Sequence, residues 1–78
     1  MNIPEHRKAI DALDAQIVRL LNERTKHVLE IGEAKRKAGE EIYAPHRELA
    51  VLNRICKLNA GPIPNASIRA ILRKISAM

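Results

Sequence analysis

The order of apolar and polar positions predicts three helices separated by two short breaks. Over about residues 4–38, apolar side chains recur every three or four positions and no proline interrupts them, which indicates one very long helix. Gly39 is its expected C-cap. After a connector over residues 40–44, a second helix is expected over about residues 45–58, because its opening proline suits a first helical position.

A turn rich in glycine and proline, residues 59–64, leads into the third predicted helix. Asn65 is expected to be its N-cap, because a side-chain oxygen there can accept from the free amides of the first turn. Its buried stripe is predicted to be Ile68, Ile71, Leu72 and Ile75. The helical spacing of apolar residues continues up to Met78, so we expect one domain, 1–78, that is truncated within its third helix.

Two cations interrupt the apolar stripe of the first helix. On a helical wheel its large apolar side chains fall within an arc of about 100°; they are Ile10, Leu13, Ile17, Leu20, Leu21, Val28 and Ile31. Arg24 and Lys35 lie in the middle of this arc, and Arg7 lies just beyond its edge. A buried charge needs a partner. The pattern therefore predicts internal ion pairs (with Glu48, for example), side chains that snorkel to water, or a pocket for a small polyanion between helices.

The spacing of the cations favours a second chain. Arg24 and Lys35 are roughly 16 Å apart along the axis, so their side chains can converge on one ligand. Arg7 is roughly 25 Å from Arg24 on the same rigid helix and can contribute only from an antiparallel partner. A monomer of this size buries only about 60% of its unfolded surface, which also favours oligomerisation. We therefore expect a homodimer with shared sites.

Composition excludes several classes of protein. Cys56 is the single cysteine, so no internal disulfide forms, and with three scattered histidines it gives no spacing for zinc. We expect no metal and no cofactor. Tyr43 is the single aromatic residue, which argues against a stacking platform for nucleic acid. No apolar run approaches 18 residues and no signal peptide opens the chain, so we expect no membrane partner and a cytoplasmic location.

Four segments carry a family resemblance. They are residues 7–24 (RKAIDALDAQIVRLLNER), 31–35 (IGEAK), 42–48 (IYAPHRE) and 59–64 (NAGPIP). The first three resemble the all-helical chorismate mutases, and the last is similar to the mutase domain that many bacteria fuse to prephenate dehydratase. The resemblance covers essentially all 78 residues. It implies an all-α fold of three helices, an intertwined antiparallel homodimer, two active sites and the rearrangement of chorismate to prephenate, on the route to phenylalanine and tyrosine.

The resemblance also implies a role for each polar residue of the site. Arg24 is expected to bind one substrate carboxylate and the partner subunit's Arg7 the other. Lys35 is expected to contact a carboxylate and the ether oxygen, which makes it the main electrostatic catalyst. Glu48 is expected to accept from the substrate hydroxyl, while Arg47 orients the pocket through ion pairs. A Claisen rearrangement suits such a site, because it needs a held conformer and charge stabilisation rather than a nucleophile.

The chain departs from the family pattern at two places. Ala44 stands where many relatives have Asp, so only a backbone contact to substrate is expected there. In the family the third helix continues past the position of Met78 and supplies a Ser and a Gln or Glu to the site. We therefore hypothesise a fragment of a longer protein, such as a mutase fused to a prephenate dehydratase, that folds and binds yet turns over poorly.

Three other interpretations of the function are considered. An isochorismate-pyruvate lyase shares the fold and similar cations, although Glu48 favours the mutase because that position is commonly not acidic in the lyases. A net charge of +5 suggests a nucleic-acid-binding module. We expect no nucleic acid, because acids separate the basic residues of the first helix. A non-catalytic regulatory or binding module that senses an acid of the aromatic pathway is the remaining alternative.

Overall fold

The computed structural model describes residues 1–41 and 45–78. It contains α1 (Ile3–Ala38), α2 (Pro45–Leu58) and α3 (Asn65–Ser76), and no strand occurs in these described ranges. The expected all-α class with one very long helix is therefore confirmed. None of the described helices combines the length and the apolar composition needed to cross a membrane. The chain divides into two units, Met1–Glu40, which contains α1, and Glu41–Met78, which contains α2 and α3.

Both ends of α1 are closed by local hydrogen bonds. The amide of Glu5 donates to Oδ1 of Asn2 at 2.9 Å, and Oε2 of Glu5 accepts from the amide of Asn2 at 3.4 Å, which forms a capping box. At the other end Gly39 has a φ of 71°, and its amide donates to the carbonyl of Arg36 at 3.2 Å. Glycine adopts this left-handed conformation without a steric cost. The predicted C-cap is confirmed, whereas the capping box was missed.

The second unit is a helical hairpin in which α2 packs against α3. Leu52 is buried, at 6% exposure, and is the only buried residue in the described ranges. The half-buried nonpolar side chains of the hairpin are Val51, Ile55 and Cys56 of α2 and Ile68, Leu72 and Ile75 of α3. Ile71 was expected in this stripe but is 48% exposed. On the helical wheel it lies about 40° outside the arc that Ile68, Leu72 and Ile75 define, which agrees with its greater exposure.

Asn59 organises the turn between α2 and α3. Its Nδ2 donates to the carbonyl of Ile63 at 2.7 Å and to Oδ1 of Asn65 at 2.8 Å. Its Oδ1 accepts from the amide of Gly61 at 3.1 Å, and Gly61 has a left-handed φ of 81°. The expected N-cap role of Asn65 is wrong. Pro64 occupies the N-cap, and Asn65 is the first helical residue, its side-chain oxygen taken by Asn59.

Replacing Asn59 by alanine is expected to lower the free energy of unfolding by about 1–3 kcal/mol, because three hydrogen bonds of a half-buried amide are lost. Urea denaturation followed by circular dichroism measures this change. Asn53→Ala is the matched control, since Asn53 is exposed on α2. Equal midpoints for the two variants would contradict the role of Asn59.

Candidate active site

Two cations lie on the apolar side of α1. Arg24 and Lys35 are eleven residues apart in one unbroken helix, which places them about 20° apart on the wheel and roughly 16 Å apart along the axis. Both side chains are half-buried. In contrast, large apolar residues of the same stripe are about half exposed; they include Ile10 (53%), Leu13 (55%), Ile17 (53%) and Val28 (48%). As whole residues, Arg24 and Lys35 are therefore less exposed than these apolar residues of the stripe.

Neither cation has an acid within reach on its own helix. Side chains three or four positions away are neighbours on a helix surface; those of Arg24 are Leu20, Leu21, His27 and Val28, and those of Lys35 are Ile31, Gly32, Ala38 and Gly39. No carboxylate is among them. Arg24 and Lys35 therefore lack a counter-ion on their own helix.

Other cations of α1 do pair locally. Nη1 of Arg19 lies 3.2 Å from Oε1 of Glu23, one turn ahead. Arg36 binds Glu33 through two hydrogen bonds, and the Glu33 carboxylate raises the pKa of the Arg36 guanidinium. These pairs are exposed, so each contributes little to stability. Arg24 and Lys35 take part in neither of these local pairs.

Arg7 lies near the start of α1 and is exposed. The helix is continuous between them, so Arg7 stays roughly 25 Å from Arg24 and about 100° away on the wheel. Asp11 follows one turn later, but no ion pair joins the two side chains in this described part of the chain. Arg7 therefore cannot join Arg24 on a small ligand within one chain.

The second unit presents Arg47 and Glu48 in the first turn of α2. Glu48 is half-buried and Arg47 is exposed. Glu48 lines an open pocket of about 250 Å³ together with Pro45, Leu49, Leu52 and Arg73. Ala44, the remaining predicted substrate-binding residue, lies outside the described residues.

Arg73 was not anticipated from the sequence. It is one of three cations on α3, with Arg69 and Lys74, and nothing in the sequence pattern distinguishes it from them. Arg69 instead donates from Nε to Sγ of Cys56 at 3.1 Å. The packing of α3 on α2 decides which of the three lines the pocket with Glu48.

Each unit, taken by itself, carries cationic side chains on its helices, and such groups stabilise charge rather than act as nucleophiles. Guanidinium and ammonium groups on a rigid helix can bind carboxylates and stabilise negative charge that grows on an oxygen. Across residues 1–41 and 45–78, no three His, Cys, Asp or Glu side chains are grouped to hold a metal ion. In class, the molecule is an all-helical domain of three helices whose candidate site is rich in cations.

Residues 6–78 match the family model of chorismate mutase type II, and the chain belongs to this family. It is 50% identical over 70 residues to the bifunctional chorismate mutase/prephenate dehydratase of Neisseria gonorrhoeae, which covers 90% of this chain and 19% of that protein. The corresponding protein of Aquifex aeolicus is 42% identical over 77 residues, covering 94% of this chain and 21% of that one. The chain thus spans about a fifth of the length of these curated relatives.

The fold matches a solved member of the family. The structure of the Thermus thermophilus chorismate mutase superimposes with a TM-score of 0.94 at 36% identity, and the match covers 96% of this chain and 94% of that one. An identity above a third over nearly the whole length of both chains agrees with the family assignment and with the three-helix architecture.

Proposed function

We propose that this chain catalyses the rearrangement of chorismate to prephenate in phenylalanine and tyrosine biosynthesis. The observation that carries the proposal is the placement of Arg24 and Lys35 on one side of α1, half-buried and without an acid in helical reach. Chorismate is a dicarboxylate, so it supplies the missing anions. Membership of the chorismate mutase type II family supports the same reaction.

The mechanism requires a folded substrate conformer and stabilisation of charge on the breaking ether oxygen. In our proposal Arg24 and the partner subunit's Arg7 each hold one carboxylate, which fixes the reactive conformer. Lys35 contacts a carboxylate and the ether oxygen, so its positive charge interacts more strongly with the transition state than with the ground state. No covalent intermediate and no proton transfer are needed, and no cofactor takes part.

Residues of the second unit are proposed to recognise the rest of the substrate. Glu48 accepts a hydrogen bond from the substrate hydroxyl, and its half-buried position in an open pocket supports this role. Arg47 orients the pocket through ion pairs. At Ala44 only the backbone is available, so recognition there is weaker than with the Asp that many relatives carry.

We propose further that the active form is an antiparallel homodimer whose sites each take Arg7 from the other chain. The roughly 25 Å between Arg7 and Arg24 supports this arrangement, since one chain cannot bring both to one substrate. The exposed apolar stripe of α1 supports it as well, because a second chain would remove that stripe from water.

Mixing two inactive variants tests the shared site. Arg7→Ala and Lys35→Ala are each expected to be inactive alone. When they are unfolded together and refolded, the mixture is expected to recover up to about a quarter of the wild-type activity, because half the dimers are mixed and each has one intact site. Arg24→Ala mixed with Lys35→Ala is the control. In our proposal each site takes both Arg24 and Lys35 from one chain. Every site of this mixture therefore lacks one of the two residues, and no activity is expected. No recovery in the first mixture would contradict the exchange of Arg7.

A partner domain and a location complete the proposal. The Neisseria gonorrhoeae and Aquifex aeolicus relatives are named for both a chorismate mutase and a prephenate dehydratase. We propose a fused prephenate dehydratase as the partner of this domain, since that enzyme consumes the product. A cytoplasmic location is proposed with it, because the free thiol of Cys56 suits a reducing compartment.

The direct test is an assay that follows chorismate loss and identifies the product. Prephenate is the expected product. Release of pyruvate from isochorismate, with no turnover of chorismate, would instead identify the lyase of the same fold. Binding of prephenate without turnover of either substrate would identify a binding module.

A further inference from the structure

The pocket between α2 and α3 contains a second charged residue besides Glu48. Its walls are formed by Pro45, Glu48, Leu49, Leu52 and Arg73, and its volume is about 250 Å³. Three of these five residues are apolar, and Leu52 is the buried residue of the hairpin. The Glu48 carboxylate and the Arg73 guanidinium therefore border the same pocket as the proline and the two leucines.

Glu48 and Arg73 line the pocket from different helices without closing an ion pair. Within α2 and α3, which the structure describes in full, neither side chain takes part in a salt bridge or a hydrogen bond to the other. Their charges interact across the cavity. Opposite charges that border one pocket attract each other, and water partly screens this attraction because Arg73 and Leu49 are exposed.

Lys74 provides the comparison within the same helix. It follows Arg73 directly, carries the same charge and is also exposed, but it does not line the pocket. A role that depends only on the net charge of the domain would be shared by both residues. A role that depends on the pocket belongs to Arg73 alone.

We propose that Arg73 is a positioning residue for Glu48. Its guanidinium attracts the Glu48 carboxylate into the pocket, and this favours the side-chain conformer that accepts the hydrogen bond from the substrate hydroxyl. Arg73 acts through Glu48 and does not touch the substrate. This inference rests on the proposed function, because it takes the substrate-binding role of Glu48 as given.

The experiment measures the dissociation constant for prephenate by calorimetry, and kcat and KM for chorismate. The variants are Arg73→Met, Arg73→Lys, Glu48→Gln, the double variant Glu48→Gln with Arg73→Met, and Lys74→Met as the charge-matched control. Methionine keeps the apolar stem of the arginine side chain and removes its charge. Thermal denaturation of each variant reports on the fold.

Arg73→Met is expected to raise the dissociation constant and KM about five- to tenfold, while kcat falls less than about twofold. Arg73→Lys is expected to recover most of the affinity, and Lys74→Met is expected to bind like the wild type. In the Glu48→Gln background, Arg73→Met is expected to change the dissociation constant by less than about twofold, because the charge it positions is already gone.

Three results would overturn the inference while leaving the proposed function intact. The first is an equal affinity for prephenate in Arg73→Met and Lys74→Met. The second is a full additional loss of affinity when Arg73→Met is added to Glu48→Gln. The third is a loss of affinity in Arg73→Met that is explained by partial unfolding, as shown by a lowered melting temperature. A Glu48→Gln variant that binds like the wild type would remove both the role of Glu48 and the inference built on it. A wild-type chain that neither binds prephenate nor turns over chorismate would contradict the proposed function itself.

Discussion

Replacing Lys35 by alanine is expected to lower kcat/KM for chorismate about 10²–10³-fold, the usual cost of removing one preorganised donor from a developing negative charge. Lys35 is half-buried on the apolar side of α1. Its neighbours on the helix surface include no acid that could take over its charge or hold it away from the substrate. The measurement is the initial rate of chorismate loss at several substrate concentrations, with the product identified.

Lys37→Ala is the matched control for this prediction. Lys37 lies two residues further along α1, about 160° away on the wheel, and is exposed. Its replacement is expected to leave kcat/KM within about twofold of the wild type, because exposed charges on the opposite side interact weakly with the site. Full activity in Lys35→Ala, or an equal loss in both variants, would show that the ammonium group of Lys35 is not the electrostatic catalyst.

Replacing Leu52 by alanine is expected to lower the free energy of unfolding by about 2–5 kcal/mol. Leu52 is 6% exposed and is the most buried residue of the hairpin, in which α2 packs against α3. Folded domains have a total stability of only about 5–15 kcal/mol, so this loss threatens the hairpin as a whole. Urea denaturation followed by circular dichroism gives the change.

Leu58→Ala is the corresponding control on the same helix. Leu58 is 68% exposed, so its truncation removes little buried surface and is expected to change the free energy of unfolding by less than about 0.5 kcal/mol. If both leucine variants unfold at the same urea concentration, Leu52 is not the centre of the hairpin's packing.

The helices were predictable because local signals agree along the chain. Glycine at position 39, proline at position 45 and the glycine–proline turn separate three segments of helical periodicity, and the bounds of α1, α2 and α3 follow them closely. The N-cap of α3 was not predictable from the type of residue alone. Asn65 has the right side chain, but Asn59 competes for it across the turn, and that contact depends on how the turn folds.

The candidate site residues could be proposed from the sequence where a charged residue interrupts an apolar stripe or follows a helix-opening proline. Arg24 and Lys35 are recognisable because cations are out of place in an apolar stripe, and Arg47 and Glu48 because they open a helix after a proline. Arg73 has no such signal. Its place beside Glu48 depends on the rotation and position of α3 against α2, which are tertiary properties that the spacing of residues in one helix does not determine.

If the exposed apolar stripe of α1 is covered by a second copy of the chain, the stability of the protein depends on its concentration. α1 has 36 residues and none of them is buried, so in the proposed homodimer the removal of its stripe from water depends on meeting another copy. The unfolding equilibrium of such a dimer depends on protein concentration. Each tenfold dilution lowers the apparent free energy of dimer formation by about 1.4 kcal/mol. For the proposed homodimer, a higher protein concentration would therefore raise both the folded fraction and the melting temperature.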